Sequence, residues 1–338
     1  MKIPWSFILA LFLGFILGIV LFIGFLYTEL GIPTHQSQWI YDITQKKERI
    51  ANAIPGPKLL ITAGSSTLFS INAALIEQET GFPAVNMGTH AGLCIDYRLY
   101  RIKKVAKPGD VVLMALEYEY YSNGAETHEQ WNDDYVLSRD PDYFRQVPLT
   151  EKIAMATRVG FNRLQKGWDD HFHPDNHPRP PGPPPYSAYS PITPGIDCLD
   201  DHGDQVFNPV AARPPHKPIA FDRRIPMLVN GQPDADTDGF HVIADFIAWA
   251  HANHITVLAT FPTCIKQPEY DLPKEHETIK TITDFYQAHG VPVIGTADEV
   301  MLPPDQFYDT MYHLTHEAAL QRTERLIPEL KPYLPAKK

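Results

Sequence analysis

The sequence predicts an α/β fold, a five-stranded parallel sheet in a three-layer α/β/α arrangement, with one N-terminal transmembrane helix and a long insertion. Three observations predict it. Trp5 to Tyr27 is a run of 23 residues without charge. From residue 58 short apolar segments alternate with helix-length amphipathic ones, the pattern of a parallel sheet covered on both faces. The alternation lapses at about 121–235 and then resumes.

The apolar run comes first. At about 1.5 Å per residue it makes a helix about 35 Å long, enough to cross a bilayer. It is longer than the apolar core of a cleaved signal, and Tyr27-Thr28-Glu29-Leu30 offers no small-x-small cleavage site, so it reads as an uncleaved anchor over residues 1–30. Lys2 precedes the span and the next basic residue is Lys46, which places the N-terminus in the cytoplasm and the globular part outside, periplasmic or extracellular. Residues 31–57 read as a juxtamembrane linker closed by Pro55-Gly56-Pro57.

The globular domain spans 58–335. Lys58 to Ala63 reads as a buried strand and Ser66 to Glu79 as a helix stopped by Gly81. Phe82 to Met87 is the second strand, Leu93 to Ala106 a helix, and Asp110 to Leu116 the third and most apolar strand. Then comes the insertion, with one helix expected around Thr150 to Lys166. Pro174 to Pro218 holds 13 of the 32 prolines, a density that excludes helix and central strand and marks a largely irregular surface excursion. The rhythm returns with a helix at Asp236 to Ala252, a strand at Ile255 to Phe261, a helix at Lys274 to His289, a fifth strand at Val291 to Ile294 and a last helix from Thr315, a good N-cap.

A net charge of −11 argues against nucleic acid as a partner, since phosphate binding needs a basic face. Cys94, Cys198 and Cys264 are too few and too scattered for a disulfide framework. Asp169-Asp170-His171-Phe172-His173-Pro174-Asp175-Asn176-His177 carries metal-ligand types, as does the acidic run Asp200-Asp201-His202-Gly203-Asp204, but both read as solvated segments of the excursion; no metal and no cofactor is expected.

In open parallel sheets ligands bind at the C-terminal strand ends. Ser66 follows the first strand in Gly64-Ser65-Ser66, at a helix start with unpaired N–H groups. Asn86, Gly88 and Gly92 follow the second strand, Glu117 and Glu119 the third, and Asp309 and His313 lie after the fifth. A histidine beside an aspartate can take a serine's proton.

Together these residues resemble the SGNH or GDSL hydrolase superfamily, closest to its membrane-anchored branch of polysaccharide O-acetylation and D-alanyl transfer proteins. The resemblance covers about 58–120 and 236–330 and implies a flavodoxin-like SGNH fold. It makes Ser66 the nucleophile, His313 the base, Asp309 its orienting partner, and the N–H groups of Ser66 and of Gly92 or Gly88 the oxyanion donors. Asn86, Glu117 and Glu119 would line the cleft. Asp309 and His313 stand four apart where the superfamily's pair stands three apart, and Glu119 falls near the position of its oxyanion-hole asparagine, where a carboxylate would repel developing negative charge. The implied function is a membrane-tethered serine esterase or O-acyltransferase acting on acylated cell-envelope polysaccharide or glycolipid, with a membrane-bound acyltransferase as a possible partner. The alternative is a non-catalytic envelope protein of the same fold that binds polysaccharide or partners a multi-span acyltransferase.

Overall fold

Among the residues that the structure, a computed structural model, describes (4–34, 37–121, 130–173, 196–213 and 236–335), apolar runs ended by glycine or proline pair as strands and the amphipathic runs between them coil. In chain order, α1 (Trp5–Thr28) and α2 (Gln38–Ala53) precede β1 (Leu59–Thr62), α3 (Ser65–Ser70), α4 (Ala73–Thr80), β2 (Ala84–Asn86), α5 (Ile95–Val105) and β3 (Val111–Met114). Then come α6 (Gln130–Arg139), α7 (Pro141–Gln146), α8 (Leu149–Arg158) and α9 (Phe161–Phe172). The last stretch holds α10 (Asp238–Ala252), β4 (Thr256–Ala259), β5 (Cys264–Ile265), α11 (Pro273–Ala288), α12 (Ala297–Val300), β6 (Met301–Leu302) and α13 (His316–Leu330).

The chain divides into two units. The larger, Trp39–Glu129 with Pro180–Lys338, holds a four-stranded parallel sheet in the order β2-β1-β3-β4 and a two-stranded one of β5 and β6. Its central strands are buried on both faces, which is why they read as unbroken apolar runs. Leu60, Val112 and Met114 face a core with α5, α10 and α11, whereas Leu59, Ile61 and Leu113 face α4 and α13. The expected fifth strand is a single parallel bridge, Ala259 to Val293. Pro292 has no N–H to extend the ladder, and Gly295, at φ +71°, turns the chain away.

Two further expectations meet a different outcome. The stretch read as a linker contains α2, whose Ile40, Ile43, Lys47 and Ala51 are buried one helical turn apart. The insertion is not largely irregular where it is described. It supplies α6 to α9, and residues 196–213 dock on the core of the larger unit. There Asp204 accepts from Ala73 N and Ala74 N (both 2.9 Å), His202 O accepts from Asn86 N (2.9 Å), and Asn208 Nδ2 donates to Leu314 O (2.8 Å). Gly203, at φ +80°, permits this close approach, since a Cβ there would stand 2.7 Å from Asn86 O. The acidic run 200–204 is therefore a turn and a cap on α4. Most of the dense prolines lie outside the described residues.

The smaller unit, Met1–Gln38 with Gln130–Arg179, joins α1 to α6–α9. Along most of its length α1 is exposed, with a mean hydropathy of 2.9 over its most apolar window, so it is long and apolar enough to span a bilayer. Only its last turns are packed: Leu26 is buried with Leu137, Val159 and Leu164, and Phe22 and Phe25 lie against them. Arg163 pairs with Glu29 (3.0 Å) and Asp134. Gly167 admits Glu29, because any Cβ there would collide with that carboxylate. In the segment read as possible metal ligands, His173 Nδ1 lies 3.1 Å from Asp169 Oδ1, and residues 174–177 lie outside the described residues.

Candidate active site

The C-terminal ends of β1, β2 and β3 carry Ser66, Asn86, Gly88, Gly92, Glu117 and Glu119 to one edge of the sheet, whereas Asp309 and His313 follow β6 of the two-stranded sheet. After β1, Gly64 is the N-cap of α3 and Ser66 lies in its first turn, fully buried. After β3, the chain turns back so that Glu117 caps that helix. Its Oε2 accepts from Gly64 N (2.8 Å) and its Oε1 from Ser66 N (2.9 Å). A carboxylate here satisfies two orphan donors and complements the helix dipole. Glycine at 64 leaves room for this, since a Cβ would meet the Glu117 carboxylate and stand 3.0 Å from Ala91 Cα.

After β4, Thr263 brings Oγ1 to 3.4 Å from Ser66 Oγ. Thr263 Oγ1 donates to Tyr312 O (3.3 Å), which leaves a lone pair for the Ser66 hydroxyl proton. Next to Tyr312, His313 Nδ1 stands 2.7 Å from Asp309 Oδ1. The four-residue spacing is absorbed by a turn: Tyr308 N donates to His313 O (2.7 Å), and Thr310 Oγ1 accepts from Tyr312 N and His313 N. Asp309 sets the tautomer with the proton on Nδ1, so Nε2 carries the lone pair. The His313 ring is stacked on Phe69, 4.1 Å between centroids and 8° from parallel, and Phe69 is one helical turn from Ser66 on the same face of α3.

The serine and the ring that carries the histidine thus lie on the same face of α3, with no hydrogen bond between Ser66 and His313. Ser66 Oγ is bonded to Thr263 instead. The glycine donors are also engaged: Gly88 N donates to Asn86 Oδ1 (2.9 Å) and Gly92 N to His90 Nδ1 (3.0 Å). Asn86 is fully buried and donates to Thr67 O (3.1 Å) and Ile71 O (2.8 Å), so it staples β2 to α3. Glu119, expected near the oxyanion, turns away and accepts from Tyr312 Oη; Glu117 is the carboxylate that reaches the donors.

Sequence reasoning did not single out the residues that brace this edge. Arg98 donates to Thr89 Oγ1 (2.9 Å), His90 O (2.8 Å) and Tyr120 Oη (2.7 Å), and also to Ala63 O, which ties the 88–93 loop to β1. Arg322 donates to Phe261 O (2.6 Å) and to Ser70 Oγ. Burial pulls its guanidinium down to about 9. Both arginines lie on otherwise apolar helix faces, the one signal that could have marked them. Burial, and then the positive charge of Arg98, push His90 down to about 4. Lys47 donates to Gly88 O (2.6 Å); burial lowers it to about 7 and raises Asp204 to about 7. Tyr118, Tyr120 and Tyr121 pack in the core.

No family model matches this chain, and no curated protein matches it. Among solved structures, the crystal structure of the protein YxiM of Bacillus subtilis aligns with 83% of this chain at 11% identity and a TM-score of 0.37. The alignment covers 57% of YxiM, so the chain spans a little over half that protein's length. The likeness is loose, and nothing about the site rests on it.

Proposed function

We propose that this chain is a membrane-tethered serine esterase or O-acyltransferase of SGNH type that acts on acylated cell-envelope polysaccharide or glycolipid. The observation that carries the reading is the Asp309–His313 pair, held against Phe69 one turn from Ser66. His313 Nε2 takes the Ser66 proton as Oγ attacks the acyl carbonyl, and returns it to the departing sugar oxygen. Water or a second sugar hydroxyl then releases the acyl group from Ser66 by the same steps in reverse.

The geometry adds a condition. Glu117 holds the N–H groups of Gly64 and Ser66, the donors best placed for an oxyanion. Two N–H groups converging on a carboxylate are already arranged for negative charge. Turnover requires Glu117 to swing away, and Ser66 to exchange Thr263 for His313. The tether holds the enzyme beside glycans emerging from the membrane.

Labelling of the detergent-solubilised full chain by a fluorophosphonate tests this. The parent chain is expected to label slowly, Glu117→Gln at least about tenfold faster as one oxyanion donor is freed, and Ser66→Ala not at all. Persistent labelling of Ser66→Ala sinks the assignment of the nucleophile. Absence of labelling in both the parent and Glu117→Gln favours the second reading, a non-catalytic envelope protein that binds glycan or partners a multi-span acyltransferase. The carboxylate already seated on the Ser66 N–H is the observation behind that alternative.

A further inference from the structure

The smaller unit carries an aromatic stripe that its own core leaves uncovered. On α9, Phe161, Trp168 and Phe172 are 73%, 45% and 61% exposed. At about 100° per residue these three fall within about 40° of arc on one side of the helix. Leu164 and Gly167 are buried on another side, where Arg163 pairs with Glu29. Soluble proteins seldom display aligned large aromatics of this kind without an occupant.

The position of the stripe identifies the occupant. Trp168 lies against Phe25 of α1, 5.6 Å between ring centroids. Phe25 is in the last turn of a helix whose apolar stretch runs from Trp5 to Tyr27. With a hydrocarbon core of about 30 Å, or about 20 residues of helix, that turn falls at the membrane–water boundary, the level at which tryptophan and tyrosine collect. Exposed Tyr27 and Trp5 mark the two boundaries. Glu29 and Gly167 fix α9 there, through the Arg163 pair and the close helix approach.

We infer that α9 is a second membrane element, an interfacial helix that lays Phe161, Trp168 and Phe172 into the headgroup–acyl boundary of the bilayer that α1 spans. This rests on the tether in the reading above and is independent of the serine chemistry. Binding is through apolar area. Asp169 and Asp170 offset Lys166 on the rest of the surface of α9, so anionic lipid is not required. Packing α1 into the folded unit also gives the helix a role that removal as a leader would destroy.

The test uses the full chain in nanodiscs of zwitterionic lipid. An environment-sensitive fluorophore is placed at Phe161→Cys, Phe172→Cys or, on the polar side, Asp170→Cys; the three native cysteines are buried. Probes at 161 and 172 are expected to shift to the blue and to lose at least about half their emission to a shallow spin-labelled lipid. The probe at 170 should respond to aqueous iodide instead. If 161 and 172 are quenched by iodide as strongly as 170 on a chain that intact mass shows to retain α1, the inference is overturned and the tether stands. If α1 is absent from the mature chain, both fall.

Discussion

His90 keeps a lone pair on Nδ1 toward the Gly92 N–H, with Trp39 edge-on at 5.3 Å. Its folded value near 4 lies below the ordinary 6.5, so the unfolded chain binds the proton more tightly. The contribution of neutral His90 is therefore complete above pH 6.5 and is lost as the pH falls from 6.5 toward 4. The urea midpoint should drop over that window, and His90→Gln, whose amide oxygen still accepts from Gly92, should flatten the slope. An unchanged slope would remove His90 from the acid response. At this scale the place of Ser66 at the start of α3 and the contact of Asp309 with His313 were legible, because a strand running into Gly-Ser-Ser and a histidine near an aspartate announce themselves. Thr263, Phe69 and the role of Glu117 were not, because their partners lie far off in sequence and only strand order makes them neighbours.

Elements meet closely at Gly88, where a Cβ would stand 2.5 Å from Leu68 N and 3.0 Å from Gly64 O. Both obstacles are backbone, so Gly88→Ala should cost at least about 2 kcal/mol by chemical denaturation. A neutral outcome would mean that the loop after β2 can move off α3. At the other end of β1 and β3, Lys58 and Asp110 form a fully buried pair at 2.8 Å, and Asp110 also accepts from Lys58 N and Lys107 N. Lys58→Met strands that carboxylate and should lose about 3–5 kcal/mol, whereas replacing both partners by apolar residues should recover much of it. The strands of the four-stranded sheet were readable from apolar runs; the two-residue strands β5 and β6 were too short to be. The helix α2 was missed because Lys47 interrupts its apolar face, and the helix expected over 66–79 divides where Asn72 caps α4 through Leu75 N (2.7 Å).

For the molecule as a whole, dense proline in the insertion concealed that the chain comes back. Residues 196–213 reach α4 and β2 through Asp204 and His202, α2 through Leu199 O and Lys46 Nζ (2.6 Å), and the chain entering α13 through Asn208. Pieces from both halves of the sequence are sewn together by this return leg. Peptide-bond continuity ahead of it should then be dispensable once folding is complete. With a protease site inserted between residues 173 and 196 and cut in the native state, the two fragments should elute as one species and separate only in denaturant. Elution as two species would show that the covalent chain, not the stitched contacts, keeps the halves in company. The same logic makes the late-made half a template-dependent one: a ribosome-bound chain ending before residue 196 lacks the clasp that closes the N-terminal half.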